Sequence, residues 1–299
     1  MSLQRYSQEF YQTIPHDFGV AVPPTIDHVL RLRDKTRIVE QLADVDAMQK
    51  VAIAATKEGC IFGNLLAELE VYLDHVDRED DLFGVIRSAV EHARLPEHSV
   101  EVVLRDVTGL QASDELRYWS FDQKLHNKTL LFAGVKQSNL AATLKNGLRL
   151  PHKESPALPY PYGRGIYLTD CFSKAALASM ASKEPQRVCV VLAEAALGDM
   201  HKAQVPKQFA RPPKSCHSVY GVGRMKPEPR GIRDMQQDNF KPRQETAGTP
   251  KALFLHSGRM APNADCEGLG VDKQCNDYVL YDEAQVAVRY LIDCEVRLE

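Results

Sequence analysis

The sequence has no long apolar run and no excess of basic charge. None of its stretches approaches the roughly 18 apolar residues that a membrane span needs, and the opening MSLQRYSQEF has no apolar core of a signal peptide. The formal net charge is −3, whereas a surface that binds nucleic acid normally carries a basic excess. These absences predict an intracellular chain with no membrane contact and no DNA-binding surface.

Paired cysteine motifs are also missing. The cysteines are odd in number and scattered, without a CxxC or a Cys/His spacing typical of zinc. Buried free thiols in a reducing compartment are therefore expected, and no metal site is predicted. The seven positions are Cys60, Cys171, Cys189, Cys216, Cys266, Cys275 and Cys294.

What is present is typical of a folded globular chain. With 299 residues, 44% hydrophobic and 26% charged, the chain is long enough for one large domain or two smaller ones. The first 65 residues carry helical patterns. Pro15 ends a short helix through SQEFYQTI, and apolar Ile38, Leu42, Val45 and Met48 recur at helical spacing.

Beyond residue 65 the pattern favours strands. Alternating or continuous apolar runs occur in SVEVVLRDV, TLLFAGV, RVCVVLAEAAL, KALFLHS, DYVLYD and VAVRYLIDCEVRL. A helix is predicted through DDLFGVIRSAVEHA. Two shorter ones follow: SNLAATLKNGL, capped by Ser138 and stopped by Gly147, and SKAALASMASK. So few crossover helices predict an α+β fold of mainly antiparallel sheets, preceded by a small all-α segment.

Two segments are predicted to be irregular. HKESPALPYPYGRG contains three prolines, which restrict it to a stiff loop. RMKPEPRGIRDMQQDNFKPRQETAGTP is long, charged and rich in proline and glycine, so it is expected to be a functional or mobile loop.

Several motifs, taken in order, resemble the poly(ADP-ribose) polymerase family. They are EFYQTIPHDFG, KTLLFAGV, PYPYGRGIYLTD, FSKAALAS and NDYVLYDEAQV. The resemblance implies an ADP-ribosyltransferase fold over residues 66–299, preceded by a partial helical regulatory domain over residues 1–65. It also implies nuclear location. Because no zinc-finger, BRCT-like or WGR-like segment precedes these motifs, no direct DNA-binding module is expected.

The resemblance implies a chemistry as well. The family splits the bond between nicotinamide and ribose in NAD, its substrate, and passes ADP-ribose to an acceptor. Its signature is a His, a Tyr and a Glu, and the matching positions here are Ala133, Tyr167 and Asp277. Asp277 and Tyr167 are therefore the expected catalytic residues, with the Glu shortened to Asp and the His replaced.

The same resemblance assigns binding roles. Gly134 would let backbone groups grip the nicotinamide amide, unless it is an ordinary strand-end glycine. Tyr167 would stack on nicotinamide, unless it is a core tyrosine. Tyr160 would cover the NAD pocket, Arg149 would approach the adenosine end, and Lys174 would lie near the catalytic carboxylate. An exposed Arg, a loop Tyr or a solvated helix Lys is otherwise ordinary.

Several family side chains are missing from the expected pocket. Ala133 offers no hydrogen bond to the adenosine ribose, and Val135 replaces a polar neighbour. Ala175 stands where a Ser bonds the carboxamide, and Ala178 stands where a second aromatic sandwiches the base. Each lost hydrogen bond costs about 0.5–1.5 kcal/mol. Asp277 keeps the charge but is roughly 1.5 Å shorter than Glu, or it bonds local backbone at a strand start.

Three functions remain open from the sequence. The chain is an active but weak transferase, for which single ADP-ribose units on protein acceptors are favoured over polymers, or a pseudoenzyme that binds protein partners. Hydrolysis of NAD is a third reading that needs the same missing anchors. The pocket losses favour the pseudoenzyme, whereas GRGIY and the acidic residue at 277 are compatible with either of the first two.

Overall fold

The computed structural model of the protein describes residues 3–14, 23–32, 35–36, 38–39, 42, 71–112, 125–151, 160–235, 253–266, 271 and 273–298. The chain forms two compact units, Met1–Ala52 and Ile53–Glu299. The domain boundary predicted after residue 65 falls outside the described residues and stays a prediction. None of the described helices is long and apolar enough to cross a lipid bilayer.

The described part of the first unit is mainly helical, as predicted. Helix α1 spans Leu3–Thr13 and therefore ends before Pro15. The Ser7 hydroxyl donates to the carbonyl of Leu3 at 2.8 Å and accepts the amide of Ile26 at 2.8 Å, which ties the following segment to this helix. Residues 29–32, 35–36, 38–39 and 42 are also helical, whereas the predicted positions 45 and 48 lie outside the description.

The second unit is built mainly from strands. Its described α-helices are α2 (Asp81–His92), α3 (Gln137–Asn146) and α4 (Phe172–Ser179). Its described strands are β1 (Val71–His75), β2 (Val100–Ala112), β3 (Lys128–Gly134), β4 (Ile166–Leu168), β5 (Gln186–Ala196), β6 (Met200–Ala203), β7 (Ser218–Gly221), β8 (Met225–Pro227), β9 (Ile232–Asp234), β10 (Leu253–His256), β11 (Met260–Pro262), β12 (Asp277–Leu280) and β13 (Val286–Leu298).

The described strands form three sheets. A seven-stranded sheet has the order β1-β2-β13-β5-β3-β10-β9, a four-stranded sheet has the order β4-β12-β7-β6, and β11 pairs with β8. Among the pairings between the described strands, only β3 with β10 and β6 with β7 are parallel. The predicted α+β class with mainly antiparallel sheets is confirmed.

Strand β13 runs through the large sheet between β2 and β5. Its buried positions alternate, as in Val286, Val288, Ile292, Cys294 and Val296. A bulge between Val288 and Tyr290 shifts the register against β5, and an irregularity at Asp293/Cys294 shifts it against β2. The predicted alternation is thus present but interrupted, since each bulge adds one residue to one strand.

Helices α2 and α4 cover one face of this sheet. Phe83 and Ile86 of α2 share a buried cluster with Phe172 of α4 and with sheet residues such as Phe132 and Ile292. The rings of Phe132 and Phe172 meet edge to face with centroids 5.2 Å apart, a favoured aromatic geometry. This contact fixes α4 against the end of β3.

Two local predictions need correction. Helix α3 begins at Gln137 with Lys136 at its cap position and no side-chain cap bond, so Ser138 is not the cap. Gly147 does end it, with φ of 73°, a backbone region that suits glycine. The segment 224–250 is not wholly irregular, because β8 and β9 form within it. Pro227 lies in the two-stranded sheet, where a missing amide is tolerated.

Candidate active site

Four of the residues predicted from the motifs come together where four elements meet. Strands β4 and β12 are neighbours, with Tyr167 opposite Val279. The amide of Phe132 in β3 donates to the carbonyl of Thr169 just after β4 at 2.8 Å, and the reciprocal bond is 2.9 Å. Helix α4 starts three residues later. The fold therefore brings Gly134, Tyr167, Lys174 and Asp277 to one end of the two larger sheets.

Gly134 is more than an ordinary strand-end glycine. A Cβ at this position would lie 2.4 Å from the carbonyl oxygen of Ala175 and 2.6 Å from the Cβ of Ala178. Both distances are far below van der Waals contact, so only glycine lets α4 approach the strand this closely. The next amide, of Val135, donates to the Ser179 hydroxyl at 3.1 Å.

The small residues of the expected pocket are part of this packing. Ala133 and Ala175 are buried, and Val135 is buried beside them. Ala178 is exposed, although its Cβ faces Gly134. Their side chains present methyl groups and no hydrogen-bonding atoms, so a polar ligand here would bond only to backbone groups or to residues further away.

Tyr167 is half-buried, and its hydroxyl is engaged by the preceding turn. It donates to the carbonyl of Gly163 at 2.8 Å and accepts the amide of Tyr162 at 2.9 Å. Its ring lies against that of Tyr160 with centroids 5.6 Å apart. Burial raises the pKa of Tyr167 above its ordinary value, so the phenol stays neutral, and its ring is a rigid apolar surface.

Arg149 is paired with an acid that is not among the predicted site residues. Its guanidinium donates to a carboxylate oxygen of Glu283 at 2.6 Å, and the amide of Leu150 donates to the other oxygen at 2.9 Å. Glu283 follows β12 in the chain. A negative ligand at Arg149 would thus have to compete with a carboxylate already in place.

Asp277 is held between two lysines. Its side chain is 6% exposed, one oxygen accepts from the ammonium of Lys174, and the other accepts from the ammonium of Lys273. Lys174 also donates to the carbonyl of Asn276 at 3.3 Å. Lys174 thus lies beside the acid, and each side-chain oxygen of Asp277 bonds to a lysine.

The two ammonium groups share a confined space. Burial lowers the pKa of Lys174. Burial, and then the neighbouring Lys174 charge, lower the pKa of Lys273 to about 7, while the Asp277 carboxylate favours the charged form of both lysines. Lys273 also lies over the ring of Tyr162, 4.5 Å from its centroid, a stabilising cation–π position.

A second buried acid lies behind the first. Asp170, at the end of GRGIYLTD, accepts from the Asn276 amide at 2.7 Å and from the Tyr278 hydroxyl at 3.1 Å. Burial raises its pKa to about 6, against those two hydrogen bonds. The Asn276 carboxamide oxygen accepts from the amide of Gly223 at 2.8 Å and from Tyr220 at 3.1 Å. This network fixes the residue just before Asp277.

Sequence reasoning missed Lys273, Asp170 and Asn276. Lys273 lies four positions before Asp277, and Asp170 is the last residue of the GRGIYLTD motif. Both residues could therefore have been considered from the sequence. Nothing in the residue pattern showed that the side chains would face each other, because their contacts depend on how β4, α4 and β12 pack. An acid held by two lysines beside an aromatic surface and a close glycine can bind a polar ligand, whereas the two ammonium groups reduce its ability to stabilise positive charge.

Comparison with known proteins identifies the family. The poly(ADP-ribose) polymerase catalytic domain matches residues 81–296, and the regulatory domain of these polymerases matches residues 1–65. The chain is 26% identical to Poly [ADP-ribose] polymerase 1 of Gallus gallus over 96% of its length and 27% of that protein. It is 28% identical to Poly [ADP-ribose] polymerase 2 of Homo sapiens over 97% of its length and 48% of that protein.

A third relative, Poly [ADP-ribose] polymerase of Drosophila melanogaster, is 27% identical over 97% of this chain and 28% of its own length. The chain thus spans between about a quarter and a half of the relatives it matches. The family profile of the catalytic domain alone covers more than half of the chain. The chain belongs to the poly(ADP-ribose) polymerase family.

Proposed function

We propose that this protein is an ADP-ribosyltransferase with a weakened NAD site, which transfers single ADP-ribose units slowly from NAD to protein acceptors and does not extend polymers. The family supplies the reaction class. The weakened NAD binding and the restriction to single ADP-ribose units rest on this chain's own residues.

The retained frame supports binding of the nicotinamide end of NAD. Gly134 brings the backbone of α4 next to the end of β3, and Tyr167 presents a rigid ring held by its own turn. An offset stack on such a ring contributes about 0.5–1.5 kcal/mol beyond area burial. Backbone groups near Gly134 would bond the carboxamide, since Ala175 has no hydroxyl to do so.

The site offers few contacts to the rest of the NAD molecule. Ala133 cannot bond the adenosine ribose, and Arg149 is already paired with Glu283. Two or three lost hydrogen bonds of about 1 kcal/mol each lower the affinity by one to two orders of magnitude.

The main support for the proposal is the lysine clamp on Asp277, in which Lys174 and Lys273 each bond one carboxylate oxygen. Cleavage of the bond to nicotinamide builds positive charge on the ribose, which a free carboxylate stabilises and an ammonium opposes. Here one carboxylate is already neutralised by Lys174 and Lys273. It is also a methylene shorter than Glu, and a displacement of about 1 Å can cost on the order of 10²-fold in rate.

The test is incorporation of labelled NAD into the purified chain and into a mixture of acceptor proteins, with the product size measured on a gel. We expect slow labelling without polymer, loss of labelling in Asp277→Ala, and at least a tenfold gain in Asp277→Glu. Asp199→Ala is the matched control, because that acid is 62% exposed and belongs to a different cluster. Polymer formation by the unaltered chain would contradict the proposal.

NAD binding is measured separately by calorimetry and by thermal shift. A ligand at 100 times its Kd stabilises the folded state by about 2.7 kcal/mol, so millimolar NAD should raise the melting temperature. An absence of any shift at that concentration would overturn NAD binding itself.

A second candidate is a pseudoenzyme that binds protein partners without using NAD. The same lysine clamp favours it, since a fully paired acid contributes to the fold without catalysis. It would be supported by two results together: no labelling in the unaltered chain, and no gain in Asp277→Glu despite normal folding.

A further inference from the structure

Three chemically reactive side chains meet beside the site but outside its machinery. His98, Cys171 and Cys275 each offer one possible donor atom, and these atoms lie within 4.8 Å of one another. His98 and Cys275 are 177 positions apart, so no spacing motif relates them. We propose that these three residues bind a zinc ion.

The donor set suits zinc. Two thiolates and one imidazole, with a fourth position open, form a known zinc arrangement. Zinc–sulfur bonds of about 2.3 Å and zinc–nitrogen bonds of about 2.0 Å place tetrahedral ligand atoms roughly 3.6–3.8 Å apart. The Cys275 sulfur already lies 3.9 Å from Nε2 of His98. Small side-chain rotations would therefore close the cluster around an ion.

Ser173 orients the imidazole for this role. Its Oγ lies 2.7 Å from Nδ1 of His98, accepts the amide of Leu95 at 3.1 Å and contacts the Cys171 sulfur at 3.4 Å. All these contacts are satisfied when Nδ1–H donates to Oγ and the hydroxyl proton points to the sulfur. Nε2 then carries a lone pair on the side of Cys275. Metal-binding histidines characteristically donate their other N–H in this way.

The two cysteines and the histidine differ in how far their side chains are buried. Cys171 and Cys275 are 0% and 4% exposed, whereas His98 is partly exposed. Leu95 packs against both cysteines, with Met225 and Met260 beside them. The apolar surround strengthens coordination, and the partly exposed histidine is the side from which an ion would enter. Burial of both sulfurs also argues against a cysteine nucleophile, which needs exposure to its substrate.

The ligands come from three separate segments. His98 ends a 3-10 turn and is followed by Ser99 in a left-handed conformation, φ 46°. Cys171 precedes α4, and Cys275 precedes β12 by two residues. An ion bound here would join the helix that carries Lys174 to the strand that begins with Asp277. It would stabilise the fold around the site without touching the reacting groups.

The test uses the reduced full chain in a buffer with a phosphine reductant, stripped of metal with a chelator. Co²⁺ is added first as a spectroscopic probe, and Zn²⁺ is then titrated against it. We expect one equivalent of Co²⁺ to give thiolate-to-cobalt charge-transfer absorption and intense visible bands of a four-coordinate ion. Zn²⁺ should displace it and raise the melting temperature.

Variants locate the ion. Cys171→Ser, Cys275→Ser and His98→Ala should each lose the cobalt–thiolate signal or weaken it greatly, and Ser173→Ala should lower affinity about 10- to 100-fold. Cys216→Ser is the matched control: Cys216 precedes His217 in the chain, yet the pair is not in this cluster. It should keep full metal binding.

Three results would overturn the proposal. The first is no cobalt–thiolate absorption in the unaltered chain, a result that does not depend on any variant folding. The second is an unchanged signal in both Cys171→Ser and Cys275→Ser. The third is a Cys171–Cys275 disulfide found by mass spectrometry of the protein isolated without reductant. Because no readout involves NAD, these outcomes are independent of the proposed transferase activity.

Discussion

Gly134 lies where helix α4 crosses the end of strand β3. The atoms that a side chain would meet are the Ala175 carbonyl and the Ala178 methyl group, and the first belongs to the helix backbone. A flexible neighbour could yield, but a helix carbonyl cannot move without shifting the helix. The position therefore controls the distance between the two elements that carry the expected nicotinamide site.

Gly134→Ala should lower the free energy of unfolding by about 1–3 kcal/mol, the usual cost of overpacking. Gly84→Ala is the matched control, since a Cβ there has nothing within 4 Å and Gly84 lies inside α2. That change should raise stability by about 0.5–1 kcal/mol through helix propensity. Urea unfolding of both variants gives the comparison, and equal effects would disprove the close approach.

Asp277 also has a structural role that can be separated from catalysis. Asp277→Ala leaves the ammonium groups of Lys174 and Lys273 confined without their partner. We expect a loss of about 2–3 kcal/mol in unfolding free energy. This is below the range for fully buried pairs, because the lysine side chains keep 33% and 25% exposure.

Adding Lys273→Met to Asp277→Ala removes one of the unpaired charges. The double variant should recover part of the lost stability, measured by the same urea titration. A double variant that is less stable than Asp277→Ala would show that the ammonium groups are not the cause of the loss.

At the scale of elements, Asn276 joins several segments of the four-stranded sheet region. Its side-chain NH2 group donates to the Asp170 carboxylate. Its side-chain oxygen accepts from the Tyr220 hydroxyl at 3.1 Å, from the backbone amide of Gly223 at 2.8 Å and from the Asn263 side chain at 3.3 Å. The residue is 0% exposed. Its side chain thus satisfies groups from β7, from the loop after it and from the end of the β4 segment.

Asn276→Ala should destabilise the protein by at least about 3 kcal/mol, because several buried polar groups lose their partner at once and each costs about 1–3 kcal/mol. Asn139→Ala serves as the control: Asn139 is exposed on α3, so the change should stay within about 0.5 kcal/mol. Thermal and urea unfolding measure both. A similar small effect at the two positions would mean that the network adds no stability.

The elements themselves were largely predictable from sequence, whereas their neighbours were not. The alternation of Val286, Val288 and Ile292 predicted β13, and the apolar run of β3 predicted a buried strand. No local pattern placed β3 between β5 and β10. The pairing of Asp277 with Lys174, and the meeting of His98 with two cysteines, depend on that long-range order. Hydrophobic periodicity indicates which face of an element is buried, and it does not indicate which other element packs against that face.

At the scale of the whole molecule, buried titratable groups couple stability to pH. Burial, with a smaller contribution from Lys226, lowers the pKa of His256 to about 4, against about 6.5 in an unfolded chain. Below pH 6.5 the unfolded state binds the extra proton and the folded state does not. The contribution of His256 is therefore fully favourable above pH 6.5 and is lost as the pH falls towards 4. Asp170, with its raised pKa of about 6, acts in the opposite sense over part of this range.

The prediction compares how the free energy of unfolding changes with pH in the unaltered chain and in His256→Gln. Unfolding free energy measured from pH 7 to pH 4 should fall by about 3 kcal/mol more in the unaltered chain than in His256→Gln, which cannot titrate at that position. The subtraction removes the effect of Asp170, which both proteins share. Parallel curves would show that His256 is not held neutral by the fold.

The position of β13 has a consequence for how the protein is made. This strand pairs with β2 on one side and β5 on the other, yet it is synthesised after all the other described strands. Until it leaves the ribosome, β1 and β2 have no attachment to the rest of the large sheet. Such distant pairing slows folding, and it leaves two strand edges exposed to other chains during synthesis. Chaperone occupancy on ribosome-bound chains should therefore persist until residues 286–298 have emerged.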